Sequence, residues 1–173
     1  MGMISVDIGE GESHEYASGI SAGEVIKNVH GRKSGAVAAF VNGEGRDMSF
    51  RLDENCKVEP ILGDSEEGLY ILRHSCAHLL AQAVTQLYPD AKPTIGPPIE
   101  HGFYYDFAMD PIGDEELRQI EKRMKELVKQ NISIEREELD NESLREIFSL
   151  NPFKLEIMDD KIGHDVGSST YRQ

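Results

Sequence analysis

Gly68-Leu69-Tyr70-Ile71-Leu72-Arg73-His74-Ser75-Cys76-Ala77-His78-Leu79-Leu80-Ala81-Gln82-Ala83-Val84 reads as one amphipathic helix. Leu69, Leu72, Cys76, Leu79, Leu80, Ala83 and Leu87 recur at helical spacing and form one stripe, the expected core face. His74 and His78 stand a single turn apart, so both imidazoles leave the same side of the helix and can converge on one point. They lie roughly opposite the apolar stripe, beside Ile71, Ala81 and Thr85. A solvated back face ordinarily carries more Lys and Glu than this one, so the histidines are expected to line a cleft.

Outward from this helix the chain divides at Gly63-Asp64-Ser65, where Ser65 with Glu66 and Glu67 behind it makes a helix start. Residues 1–62 read as one small α+β unit. Met3–Ile8 alternates like a strand, Gly9–Glu12 is a turn, and Ser13–Ala17 is a second strand. Ser21-Ala22-Gly23-Glu24 is a capping box that opens a short helix carrying Val25, Ile26 and Val29. Ala36–Val41 is an apolar run suited to a buried strand, Asn42-Gly43 turns the chain towards a strand over Arg46–Leu52, and Lys57–Leu62 closes the unit. This order of elements predicts a β-grasp domain.

Residues 63–173 are expected to form a second α+β domain. Its leading helix ends before Pro89. Pro93–Phe107 is punctuated by glycine and proline and then aromatic, a loop feeding a strand. Asp114–Gln130 is an acid-capped helix with Leu117, Ile120, Met124, Leu127 and Val128 on one face. The remaining expectations are a strand over Ile132–Glu137, a helix over Asn141–Leu150, a strand over Phe153–Met158, and irregular chain over Gly163–Gln173.

Composition narrows the function. The 173 residues carry a net charge of −14, which argues against a free-standing RNA-binding module, because phosphate contacts need clustered Lys and Arg. Any RNA partner would have to be held by local features. No stretch has the roughly 18 unbroken apolar residues of a membrane helix, and the first residues lack the regions of a signal peptide. The two cysteines, Cys56 and Cys76, form no disulfide framework, so a cytoplasmic location is expected.

Two neutral imidazoles at this spacing can share a metal ion, or act as a base and its orienting partner on one water. The same spacing also suits two surface or hydrogen-bonded helix histidines. A metal site would need further ligands. Cys76 projects from the opposite side of the helix, and His101 and His164 have no supporting spacing, so no metal is expected at His74 and His78. Phe103, Tyr104, Tyr105 and Phe107 offer an aromatic wall or simply alternate between core and surface. Walker loops, dinucleotide fingerprints and nucleophile elbows are absent. Residue chemistry alone thus indicates a two-histidine cleft with a hydrolytic or ligand-binding role.

Glu66-Glu67-Gly68-Leu69, Arg73-His74-Ser75-Cys76-Ala77-His78-Leu79-Leu80, Ile95-Gly96-Pro97 and Gly102-Phe103-Tyr104-Tyr105-Asp106, in this order, strongly resemble the amino-terminal region of threonyl-tRNA synthetases of the bacterial type. The resemblance runs the length of the chain. It implies a TGS domain of β-grasp fold over residues 1–62 and an editing domain over 63–173, related to the editing fold of alanyl-tRNA synthetases. It also implies a function, hydrolysis of seryl-tRNA(Thr) formed in error. By the same resemblance His74 and His78 are the editing histidines, Lys154 contacts substrate, and Tyr104 lines the pocket. The family continues into an Asp-x-Cys-x-x-x-His segment, whereas this sequence closes on Thr170-Tyr171-Arg172-Gln173, so a clipped or shortened product with impaired editing is expected. ATP and zinc belong to a catalytic core outside these residues, which leaves no cofactor expected. That core also dimerises the family's enzymes, and this piece by itself is expected to be a monomer. The alternatives are a non-catalytic tRNA-contacting or assembly module, and a metal-binding domain of the alanyl type.

Overall fold

The computed structural model of the chain describes residues 2–9, 11–132, 135–161 and 168–172. The architecture is mixed α+β, in two compact units, residues 1–73 and 74–173. No helix among the described residues is long and apolar enough to cross a membrane.

In the first unit the strands β1 (Met3–Asp7) and β2 (Ser13–Ala17) pair as an antiparallel hairpin, Ser5 opposite Glu15. The two-residue strand β3 (Ile20–Ser21) leads into helix α1 (Ala22–His30). The capping box forms as expected: Ser21 Oγ accepts from the Glu24 N–H at 3.2 Å, and the Glu24 carboxylate accepts from the Ser21 N–H at 3.1 Å. Strand β4 (Ala36–Val41) turns back at Asn42-Gly43, with φ of 51° and 83°, into β5 (Glu44–Arg46). Positive φ at both central residues is the primed-turn geometry that suits the twist of a hairpin. The strand expected over Arg46–Leu52 is broken instead into β5 and β6 (Arg51–Leu52), and β6 pairs with β3. At the break, Asp47 turns the chain by accepting from the Ser49 N–H at 2.8 Å.

Strand β7 (Cys56–Leu62) completes a five-stranded sheet in the order β2-β1-β7-β4-β5. Its pairing with β1 is parallel and the other pairings are antiparallel. Pro60 is tolerated because the ladder with β1 stops at Lys57, leaving β4 as the partner at that height. Helix α1 packs across β4 and β7. Between helix and sheet lie Ile4, Val6, Val25, Ile26, Ala39, Val41, Leu52 and Val58, with Cys56 as a small packing residue.

Helix α2 (Glu66–Leu87) begins where Ser65 Oγ accepts from the Gly68 N–H at 3.0 Å. Its burial departs from the expected stripe. Leu69, Leu72 and Leu87 are exposed, and the buried residues are Ala77, Ala83 and Val84, with Leu79 and Leu80 partly covered. Ala83 and Val84 share a core with Ala91 and with Ile120 and Leu127 of α3 (Asp114–Gln130), with Leu79 and Leu80 packed against it. Between the helices run β8 (Lys92–Pro93), β9 (Pro98–Ile99), β10 (Gly102–Phe103) and β11 (Phe107–Ala108), with β10 on β9 and β11 on β8. Helix α3 has its expected bounds, with the Glu116 carboxylate accepting from the Gly113 N–H at 3.0 Å and Asn131 in the left-handed region at its end. Leu117 and Val128, expected on its apolar face, are exposed.

The last part of the chain differs most from expectation. Strand β12 runs over Glu135–Leu139, later than Ile132–Glu137, and residues 133–134 lie outside the described set. Helix α4 is Asn141–Ile147, capped by Asp140. The segment expected as a strand over Phe153–Met158 is helix α5 (Pro152–Lys161). Asn151 Oδ1 accepts from the Lys154 N–H at 3.3 Å, and Pro152 takes the first helical position, where a missing N–H costs nothing. Residues 168–172, expected to be irregular, form β13 (Ser168–Arg172), antiparallel to β12 with Glu137 opposite Thr170.

The fold places one checkable weight on the α1 cap. Replacing Ser21 by Ala is expected to destabilise the first unit by about 1 kcal/mol, the usual value of such a cap. Urea unfolding followed by circular dichroism measures this, and an unchanged midpoint would deny the cap its role.

Candidate functional site

The helical repeat of α2 delivers His74 and His78 together. Their Nε2 atoms stand 3.0 Å apart, and the rings meet edge to face with centroids at 4.6 Å and planes at 84°. At that separation one Nε2 carries a proton and donates it to the lone pair of the other, so the hydrogen bond fixes how the two rings share their protons. Both residues are exposed on the helix surface. Protein still crowds the His78 ring, and this desolvation, then the neighbouring His74, then the Lys154 ammonium hold its pKa below the ordinary imidazole value.

Lys154 arrives from α5. Asn151 fixes the start of that helix against β8, its Nδ2 donating to the Pro93 carbonyl at 2.8 Å. Burial lowers the Lys154 pKa, and its Nζ lies 6.0 Å from the centre of the Tyr105 ring, at the outer limit of a cation–π contact. Tyr105 in turn stacks on Phe107, with centroids 4.8 Å apart and planes at 25°, and burial raises its hydroxyl pKa.

The Tyr105 ring owes its position to Gly96. A Cβ on Gly96 would stand 2.1 Å from Tyr105 Cδ2, so only a bare Cα lets the ring lie there. The two segments are held in register by the Thr94 N–H donating to the Asp106 carbonyl at 2.9 Å and the Asp106 N–H donating to the Ile95 carbonyl at 3.0 Å. Gly96 thus serves as a seat for an aromatic ring that stands beside the lysine.

Of the residues singled out in the sequence, His74, His78 and Lys154 come into one neighbourhood, Lys154 close enough for its charge to act on His78. Tyr104 is 47% exposed, and the tyrosine beside Lys154 is its neighbour Tyr105. The signal for Tyr105 was Gly96, which offers a ring a place to lie. His101 sits at the tip between β9 and β10, its side chain 85% exposed and 3.6 Å from Glu100. His164 lies outside the described residues. Among the described residues, no group of three or more His, Cys, Asp or Glu side chains is placed to hold a metal ion.

No family model matches the chain. Individual proteins do. A threonine–tRNA ligase of Thermobifida fusca is 47% identical over 154 residues, covering 88% of this chain and 23% of that enzyme. One of Rubrobacter xylanophilus is 39% identical over 173 residues, covering 99% of this chain and 27% of the enzyme. One of Thermoplasma volcanium is 51% identical over 127 residues, covering 73% and 19% respectively. The chain therefore spans about a quarter of the curated relatives it matches.

Two measurements check this geometry. Gly96→Ala is expected to displace the Tyr105 ring and to cost about 1–3 kcal/mol as an overpacked contact. Adding Tyr105→Ala should restore most of that loss, and a purely additive double variant would show that the ring does not rest on Gly96. The His78 ring should titrate below about 6.5, the ordinary imidazole value. Between the lowered folded pKa and that value the unfolded chain binds more protons, so this contribution to stability is present above the window and is lost as pH falls through it. Ring-proton NMR across pH 4–8 reads the titration directly, and a His78 midpoint at or above that of a free imidazole would contradict the crowding and neighbouring charge described.

Proposed function

We propose, from the premise that this chain belongs to the threonine–tRNA ligase family, that its second unit is an editing site that hydrolyses seryl-tRNA(Thr). In this reading residues 1–62 are a TGS-like β-grasp domain and residues 63–173 belong to the editing domain. The observation that carries the reading is the hydrogen-bonded His74–His78 pair, with Nε2 atoms 3.0 Å apart and a lysine close enough for its charge to act on His78.

The task follows from the weakness of a small difference. Serine lacks one methyl group of threonine, and a contact of that size discriminates by only about 1–3 kcal/mol. A synthetase selecting threonine therefore charges some serine, and a second pocket that admits the smaller ester removes it. The substrate is an aminoacyl ester on a ribose hydroxyl of the terminal adenosine. Water adds to the seryl carbonyl carbon, the bond from that carbon to the ribose oxygen breaks, and the ribose oxygen takes a proton. The products are serine and uncharged tRNA.

His74 and His78 suit the water side of this reaction. A neutral imidazole accepts a proton from water as the oxygen attacks, and its partner fixes the tautomer that leaves a lone pair for the purpose. The lowered pKa of His78 keeps its ring unprotonated at neutral pH, as a base requires. Lys154 supplies a positive charge close to that pair, suited to a developing oxyanion or to a phosphate of the terminal nucleotide. Tyr105 gives an aromatic surface on which a base or ribose can lie.

The test is deacylation of seryl-tRNA(Thr) by this chain and by an enzyme of the family carrying it. His74→Ala and His78→Ala are each expected to slow hydrolysis by about 10²-fold or more, the scale of a lost general base. Deacylation at the parent rate in the double variant would remove the histidines from the reaction.

A further inference from the structure

The chain is strongly acidic, yet residues 25–43 contain no Asp or Glu and carry Lys27, His30, Arg32 and Lys33. The structure gathers this stretch at one place. Lys27 lies in the last turn of α1, and Arg32 and Lys33 follow in the exposed turn between Gly31 and Gly35, where φ is 78° and 75°. Lys27, Arg32 and Ser34 line an open concavity of about 410 Å³, whose other walls include Gly23, Gly31 and Met48.

Helix α1 accounts for only part of this charge. Cations in a last turn complement the carbonyls of the helix end, which explains Lys27 and His30. Arg32 and Lys33 lie past the helix, after the Gly31 N–H has closed it on the Lys27 carbonyl at 3.0 Å. Several other exposed cations are neutralised in place: Arg46 pairs with Glu44, Arg51 with Glu24, Lys57 with Glu59, Arg118 with Glu115 and Lys125 with Glu121. Lys92, Lys122 and Lys129 are also exposed without an ion pair, but each has an acid within a few residues in the sequence, whereas the stretch carrying Lys27, Arg32 and Lys33 has none from residue 25 to residue 43. Among the described residues no ion pair takes Lys27, Arg32 or Lys33. The nearest acid on the same helix is Glu24, whose carboxylate is held by the Ser21 cap.

We propose that Lys27, Arg32 and Lys33, around the concavity at the end of α1, form a docking surface for the phosphodiester backbone of RNA. The proposal rests on the reading of this chain as one that handles tRNA, and it names a surface of the first unit that grips the polymer through its backbone. A protein of net charge −14 repels a polyanion at long range, but salt screens that field beyond about 8–10 Å. Within that distance the unpaired cations govern. The Ser34 hydroxyl accepts from the Ala36 N–H at 3.3 Å and keeps its own hydrogen to donate to a phosphate oxygen. Gly31 and Gly35, bare of side chains, let a sugar–phosphate strand approach the backbone between the charges. Backbone contacts of this kind fix position and carry no base sequence.

The experiment is the salt dependence of binding of purified, unacylated tRNA to the full 173-residue chain, by fluorescence anisotropy from 50 to 200 mM salt. The variant is Lys27→Gln/Arg32→Gln/Lys33→Gln, and the control is Arg118→Gln/Lys122→Gln/Lys125→Gln, which removes the same charge from exposed positions of α3. Loss of the three phosphate contacts is expected to weaken binding by about tenfold or more and to lower the slope of log K against log salt by about 2–3, with little change in the control. No binding by the parent, an unchanged slope in the first variant, or an equal loss in the control would overturn the proposal. So would competition by polyglutamate as effective as by RNA. Seryl-tRNA hydrolysis on the same preparations separates this surface from the editing reading: tRNA binding that depends on the three cations, without any deacylation, supports the docking surface and counts against the hydrolase.

Discussion

The site rests on one number from helix geometry, the advance of about 100° per residue that returns every fourth side chain to nearly the same direction. That advance sets two Nε2 atoms 3.0 Å apart on α2, and elsewhere around the helix it turns Ala83 and Val84 towards the core shared with α3. The same repeat thus gives one helix a buried side that anchors it and an exposed side that carries the imidazoles.

Around this helix local and distant contacts combine to hold the other groups. An asparagine cap places the lysine at the start of α5 and is itself tied to the Pro93 carbonyl, and a glycine without a side chain gives an aromatic ring its seat. The groups gathered there are a hydrogen-bonded imidazole pair, a partly buried lysine and an aromatic ring.

Much of this was legible in the sequence wherever the signal was local. The α1 capping box, the Asn42-Gly43 turn and the acidic first turn of α3 each declare themselves within four residues, and each appears where expected. Misreadings arose where two local patterns competed or where the partner was distant. Phe153, Leu155 and Ile157 alternate like a strand, and that pattern hid the Asn151-Pro152 helix start. Strand β13 has little apolar character of its own and exists through its ladder with β12, some thirty residues earlier. The expected α2 stripe runs through its leucines, whereas the core takes in Ala83 and Val84 and leaves Leu69, Leu72 and Leu87 exposed. Net charge concealed in the same way: a total of −14 says nothing of a stretch in which cations stand without acids.

The parallel pairing of β1 with β7 has a consequence for how the first unit comes into being. Val6 lies opposite Cys56, so the central ladder of the sheet joins segments fifty residues apart in the chain. At a synthesis rate of about 5–20 residues per second, the β1–β2 hairpin emerges roughly 3–10 s before its inner neighbour exists. During that interval Ile4 and Val6 have α1 and β4 for company but no strand along β1's other edge. A nascent chain in this state presents an unpaired edge to the cell, and the sheet closes only when its fifth strand to be ordered in the sequence, β7, clears the ribosome.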